Sequence, residues 1–466
     1  MIWRFAERSG AQTVSFIVSI VLARLLSPDM YGTIALIMVF TNILQVFIDS
    51  GMGSALIQKK DADDTEFSSV FYFNCAVCVA IYFILICAAP VIAKFYNDTA
   101  LVAYIRVIGI LLLISGVKNI QQAYVSKHMM FKRFFYSTLG GTIISAFVGI
   151  TMAYYNFGCW AIIAQYLTNA FIDTLVLWIT VKWRPSLAFS PARLKGLYSY
   201  GWKLLCSSLL DTVYNNLRNL IIGKMYTKQE LAFYDKGNQF PMTIITNINT
   251  SIDSVLLPVM SEEQNNKDNV KNIVRKSIEL STYVIAPLMM GLIAISDSVV
   301  RIVLTDKWIE CVPYMRIFCI SYIFYPIHTA NLNAIKALGR SDLFLKLEII
   351  KKAVGLVLLL ISMHYGVMVM AYSTLISGVA AQIINSWPNK KLLGYSYIEQ
   401  IKDIMPNLLL AVLMGGLVII FDFFDMPILL KMIIQVLTGI AIYVILSAAV
   451  KNRSFVYIKN IALKRK

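Results

Sequence analysis

The sequence predicts an all-α membrane protein with about fourteen transmembrane helices in two similar bundles, and three observations carry this. Of the 466 residues, 58% are hydrophobic and 15% charged; a soluble protein of this size would carry roughly 25% charged residues. Apolar runs of about twenty residues, the length that crosses a bilayer as a helix, recur from end to end. Pieces of the first half return in the second at an offset of about 200, with the same topology, as in a parallel repeat. A membrane barrel would instead need alternating strands of roughly ten residues, and none occur.

Taken in order, the first span runs from Gly10 to Leu26 and the second from Tyr31 to Asp49. The third covers Phe67 to Ala89, the fourth Val102 to Val125, the fifth Tyr136 to Tyr155 and the sixth Trp160 to Trp178. A basic connection, Val181 to Leu197, carries Pro185 and Pro191 and separates the halves. The seventh span is Tyr200 to Tyr226, the eighth Leu231 to Met260, the ninth Val274 to Leu304 and the tenth Cys311 to Lys336. Leu343 to His364 and Val367 to Trp387 follow, then Ile404 to Phe421 and Pro427 to Ala449. The expected domains are a six-helix bundle over 1–180, a cytoplasmic connector over 181–199 and a second six-helix bundle over 200–388. Two further helices and a basic tail occupy 389–466.

The net charge of +16 would suggest nucleic acid in a soluble chain. Here the basic residues sit in alternate loops, such as Lys127, Lys132 and Arg133, or Lys182, Arg184, Arg193 and Lys195, and in the tail. The other loops are short and nearly bare. This bias reports orientation and contact with anionic lipid, and it predicts both termini in the cytoplasm. The expectation is that the first span itself serves as the insertion signal, without a cleavable signal peptide.

The repeat is visible at several places. Arg24, Leu25, Leu26 and Ser27 face Lys224, Met225, Tyr226 and Thr227, and Ala55 to Ile57 face Val255 to Leu257. Gly158 stands opposite Gly366, and Trp178 opposite Trp387. Two bundles related in this way usually enclose a midplane site and give alternating access to it.

Charged residues inside spans are costly and mark a partner or a wet cavity. In the seventh span, Lys203, Asp211, Arg218 and Lys224 interrupt the apolar run; Ser207, Asp211, Asn215 and Arg218 share one helical face. Arg218 offers a fork to phosphate oxygens, and Asp211 tunes it or binds a coupling cation; the plainer reading is a structural ion pair. Arg24 and Lys224 end equivalent helices, as a basic pair at an outer mouth or as side chains snorkelling to headgroups. The eighth span carries Asp235, Gln239, Thr243, Thr246, Thr250 and Asp253 at steps of three and four beside Pro241. That stripe suits a cation or sugar hydroxyls, or ordinary interhelical bonding. Arg106, Asp173, Glu279, Asp297, Arg301 and Arg316 are weaker candidates. Cys75 and Cys78 lie inside an apolar helix, where small-residue packing explains them. No metal site is expected.

No catalytic constellation stands out. His128, His328 and His364 are far apart, and there is neither a metalloprotease motif nor a phosphate-binding loop. The expectation is a transporter rather than an enzyme, without a cofactor, driven by a proton or sodium gradient, by the membrane potential or by removal of its substrate.

Several segments resemble a known family. WRFAERSGAQ from Trp3, LARLLSPDMYG from Leu22 and DSGMGSALIQKKD from Asp49 are similar to bacterial polysaccharide-transporter flippases of the Wzx type, near the colanic-acid-exporter branch. SKHMMFKR, FGCWAIIAQ, LAFYDKGNQFP and ALGRSDL, beginning at Ser126, Phe157, Leu231 and Ala337, fit the same family. The resemblance implies the fold of the multidrug/oligosaccharidyl-lipid/polysaccharide exporter superfamily. It also implies a substrate: an oligosaccharide on undecaprenyl diphosphate, moved from the inner to the outer leaflet for surface polysaccharide synthesis. Polysaccharide polymerase and glycosyltransferases become expected partners. Two departures are visible: the chain starts almost at the Trp3 motif, which raises the expectation of an upstream start, and Ala232 and Asp235 stand where a Gly and an Asn are expected. The rival readings are a cation-coupled multidrug exporter of the same fold and a membrane polymerase or glycosyltransferase. The absence of a large outward loop speaks against the second.

Overall fold

The computed structural model describes residues 2–49, 52–59 and 61–464, and within these the side chains of 2–9, 49, 54, 197–200, 203, 204, 341 and 462–464 are not described. Lys203, counted among the charges of the seventh span, thus lies outside the described side chains. The described residues form helices and no strand.

The chain divides into two compact units, Met1–Ala232 and Phe233–Lys466. The first unit begins with α1 (Ile2–Leu25), α2 (Pro28–Asp49) and the short α3 (Met52–Gln58). Next come α4 (Asp64–Tyr96), α5 (Ala100–Ile108), α6 (Ile110–Lys127), α7 (Phe131–Tyr154), α8 (Cys159–Thr180) and α9 (Pro191–Met225). The expected fourth span is therefore broken at Gly109. A Cβ there would lie 2.8 Å from Leu85 Cδ2 and 3.0 Å from Tyr82 Cε2, so close packing against α4 requires glycine at the break.

The second unit holds α10 (Lys228–Glu262), whose first residues belong to the first unit, and α11 (Lys267–Val303). The tenth span is also broken, into α12 (Val312–Ile323) and α13 (Tyr325–Ala337). α14 (Ser341–Ser362), α15 (Val367–Leu392), α16 (Tyr397–Ile419), α17 (Ile428–Ala449) and α18 (Arg453–Lys464) complete the chain. Taking each broken span as one, these are the expected fourteen spans, plus α3 and α18. Among the described residues, nine segments are long and apolar enough to cross a membrane on those grounds alone. α9, α10 and α14 are outside that set because they carry the polar and charged residues singled out above or their like.

The repeat survives in the backbone. α1 ends and α2 begins through Leu26 and Ser27; α9 ends and α10 begins through Tyr226 and Thr227, with the same hydrogen bonds. Leu26 N–H donates to Leu22 O at 2.8 Å and Tyr226 N–H to Ile222 O at 2.9 Å. Gly158 and Gly366 each precede a helix with positive φ, 59° and 104°, a conformation that costs other residues and not glycine.

The boundaries of repeat and packing do not coincide. The expected connector over 181–199 is non-helical only to Ser190, and α9 packs in the first unit on α2, α3 and α4. Two close approaches account for this. A Cβ on Gly223 would fall 2.1 Å from Leu36 Cδ2, and one on Gly32 would fall 1.9 Å from the Lys228 carbonyl oxygen. Small residues at such crossings let backbones meet where lipid supplies no hydrophobic drive. Cys78 follows the same logic, packed where a Cβ on Gly116 would lie 2.6 Å from its sulfur.

Each unit has its own apolar core. Leu22, Ile37, Leu101, Ile105 and Ile162 meet in the first. Leu256, Val274, Ile278, Ile327, Tyr395 and Ile404 meet in the second.

Candidate functional site

In the first unit the polar row of α9 lies at the protein surface. Ser207, Asp211 and Asn215 are exposed and Arg218 is half-buried. On the same helix Leu217, Leu220 and Ile221 turn into a groove of about 500 Å³ shared with Phe40 of α2 and with Val91, Phe95 and other apolar residues of α4. Among the described residues of that lining, Lys224 is the charged one. Its ammonium donates to the Phe95 carbonyl in the last turn of α4 and stands 4.2 Å from the centre of the Phe95 ring. A cation at a helix C-terminus is stabilised by the carbonyls there, so Lys224 is braced by α4. Arg24, its counterpart in the repeat, is exposed in the last turn of α1. Next to Lys224, Lys228 pairs with Asp98 at 2.6 Å. The result is a basic end on an apolar trough, able to receive an aliphatic chain and an anionic group together.

In the second unit the stripe on α10 divides into two parts. Near its start, buried Lys236 donates to Gln239 Oε1 at 2.9 Å and lies 5.8 Å over the Trp308 ring, with Asp235 half-buried beside it. In the middle, the hydroxyls of Thr243 and Thr250 donate to carbonyls of their own helix, each at 2.7 Å, which spends their protons locally. At the far end, Asp253 accepts from Asn333 of α13 at 2.5 Å and from Asn249 at 3.2 Å. Thr329 in turn donates to Asn249 Oδ1 at 2.6 Å. Asp253 is thus an acceptor tying α10 to α13, whereas Asp235 and Gln239 belong to a group containing a buried ammonium. The candidates fall into two sets: Arg24, Asp211, Asn215, Arg218 and Lys224 in one unit, Asp235, Gln239 and Asp253 in the other.

Among the weaker candidates, Asp173 of α8 pairs with Lys118 of α6 at 3.2 Å, largely buried. Arg316 pairs with Asp297, and Arg301 with Asp306. Sequence reasoning missed Lys118 and Lys236 and set His328 aside. Lys118 and Lys236 carried the signal used elsewhere, a charge within an apolar run. His328 meets Asn385 at 2.7 Å, a contact that no local spacing announces.

Comparison with known proteins gives the wider context. A family model described as "Polysaccharide biosynthesis protein" matches residues 21–313. The chain is similar to the teichuronic acid biosynthesis protein TuaB of Bacillus subtilis, at 24% identity over 87% of this chain and 86% of that one. It is similar to the lipopolysaccharide biosynthesis protein WzxC of Escherichia coli, at 21% identity over 85% and 82%. Among solved structures, a lipid II flippase MurJ in an inward closed conformation superposes with a TM-score of 0.78, at 16% identity over 96% of this chain and 98% of that one. An inward-facing multidrug transporter of the MATE family, in the MOP superfamily, gives 0.64 at 14% identity over 82% and 95%. These two likenesses bear out the expected fold.

Proposed function

Since this chain belongs to the polysaccharide biosynthesis protein family, we propose that it moves undecaprenyl-diphosphate-linked oligosaccharide units across the bacterial plasma membrane for surface polysaccharide synthesis. The observation that carries the reading is the trough on α9. Its wall is apolar apart from the ammonium of Lys224, with Arg218 and Asp211 on the same helix. An isoprenoid chain needs the first property and a diphosphate the second. Relatives described as acting in teichuronic acid and lipopolysaccharide biosynthesis support the same substrate class.

In this reading both termini face the cytoplasm, as the basic loops favour, and a proton or sodium gradient supplies the drive. A polymerase and glycosyltransferases act on either side of the transport step. The decisive experiment is Arg218→Ala in a strain lacking the native copy. Surface polysaccharide should be lost at unchanged protein level while lipid-linked sugar accumulates inside. Lys224→Ala should be milder, because its ammonium is already engaged by α4. Normal polysaccharide from Arg218→Ala would remove that residue from the site. A cysteine placed at Lys391 should react with impermeant reagent only from the cytoplasmic side.

A further inference from the structure

The last helix, α18, follows a span after three residues. α17 ends at Ala449 and α18 starts at Arg453, so α18 sits at the end of a membrane-crossing segment. The turn between them is built rather than loose. Lys451 takes a positive φ of 51°, and Asn452 N–H donates to Ser447 O at 2.9 Å. The Asn452 side-chain oxygen caps α18 by accepting from the amides of Ser454 at 2.9 Å and Phe455 at 3.3 Å. Its amide nitrogen donates to Asn407 of α16 at 2.8 Å. Asn452 and Ser454 are buried. The direction in which α18 leaves the bundle is therefore fixed by packing.

What it presents there is two-faced. Tyr457, Ile458 and Ile461 share one side of the helix, and all are exposed, Ile461 to 47%. Lys459 points the other way, and Lys451 and Arg453 stand at the start, exposed as well. An apolar stripe left uncovered on a soluble surface would be a liability. At the rim of a bilayer it is buried a few ångströms into the acyl boundary, with the cations among the headgroups. We propose that α18 lies in the membrane surface and binds anionic lipid. The occupant is a lipid surface rather than a protein because the turn holds the stripe at the level where the preceding span meets the headgroups. The basic residues beside it then match anionic headgroup charge. This inference rests on α17 crossing the membrane and not on the transport reading.

The test uses the full chain in lipid nanodiscs, with its seven cysteines replaced by serine and one spin label added, by Ile461→Cys or Asn460→Cys. In discs containing phosphatidylglycerol, the label at 461 should collide more with oxygen than with a water-soluble nickel chelate. The label at 460 should show the reverse. Substituting Lys451→Gln, Arg453→Gln and Lys459→Gln should lower the lipid-facing population by roughly five-fold per charge. Equal nickel access at both labels would put α18 in water and overturn the proposal. Protection of the label at 461 from both reagents would mean that protein, a second copy included, covers the stripe, and would overturn it too. An unchanged oxygen preference in discs of phosphatidylcholine alone would remove the anionic requirement. Should the cysteine-free chain not fold, Ile461→Trp in the native background gives the same answer. Brominated phosphatidylglycerol should then quench more fluorescence than in the parent protein, and no added quenching would count against the lipid.

Discussion

In the first unit one largely buried polar contact between helices is an ion pair, Lys118 on α6 with Asp173 on α8. In the second it is a set of neutral amides. Asn331 of α13 donates to Gln400 of α16 at 2.7 Å and to Ser386 of α15 at 3.2 Å, and accepts from Asn389 of α15 at 2.6 Å. All four residues of that set are fully buried. Two helices are held by one strong contact in the first case, three by several moderate ones in the second. A buried pair of charges fails badly when one partner goes, because the other is left without compensation. A network of amides shares the load, and removing a member exposes only neutral groups. The comparison teaches that losing one residue costs more at the first contact than at the second.

The largest expected effect comes from Asp173→Ala, which should cost about 3–5 kcal/mol by leaving the Lys118 ammonium uncompensated. Thermal unfolding in detergent should register it, with faster hydrogen exchange in α6 and α8. Adding Lys118→Met should restore most of the loss; failure to do so would break the contrast. Next comes Gly32→Ala, at up to about 3 kcal/mol, because the new methyl meets a backbone carbonyl that cannot turn away. Gly237→Ala in the second unit should cost a similar amount, since its Cβ would lie 2.8 Å from the Cys311 carbonyl oxygen. A similar cost would show that the units differ in polar chemistry and not in tightness. Asn331→Ala should cost about 2 kcal/mol, seen as exchange in α13, α15 and α16. An effect as large as that of Asp173→Ala would erase the distinction.

The smallest effect concerns the connector. The Arg193 guanidinium bonds Asp63 at the start of α4 and, with the Glu66 amide, holds its carboxyl below the usual range. A carboxylate depressed in the folded state contributes stability above its unfolded value, and that contribution fades as the pH falls through the folded one. Asp63→Asn should therefore change the melting temperature slightly at neutral pH and not at all in strong acid.

Much of this was readable in the sequence. Hydrophobic runs located the spans, because bilayer thickness dictates the length of the apolar part, but α1, α4, α9 and α11 each run seven to nine residues past one expected end. The pairing of Arg24–Ser27 with Lys224–Thr227 located a turn that the backbone repeats. What stayed hidden depends on distant partners. Lys118 and Asp173 are 55 residues apart, and Asn331 and Gln400 are 69 apart; no local period announces either meeting. The break at Gly109 was missed because a lone glycine in an apolar run looks permissive until Leu85 is seen against it. α18 was taken for part of a basic tail because twelve residues are too few to span and its charges dominated the reading.

α10 contains Pro241 and Pro258 without losing its helical course. Neither proline has an amide hydrogen, so the carbonyls of Gly237 and Ser254 are denied the bond that a regular helix would give them. Oil cannot supply the missing proton, and a bare carbonyl in it would cost several kcal/mol. Water, a donor on a neighbouring helix, a hydroxyl of α10 itself or a local shift of the ladder can supply it. At both heights the main chain itself is an acceptor that a change of side chain would leave in place.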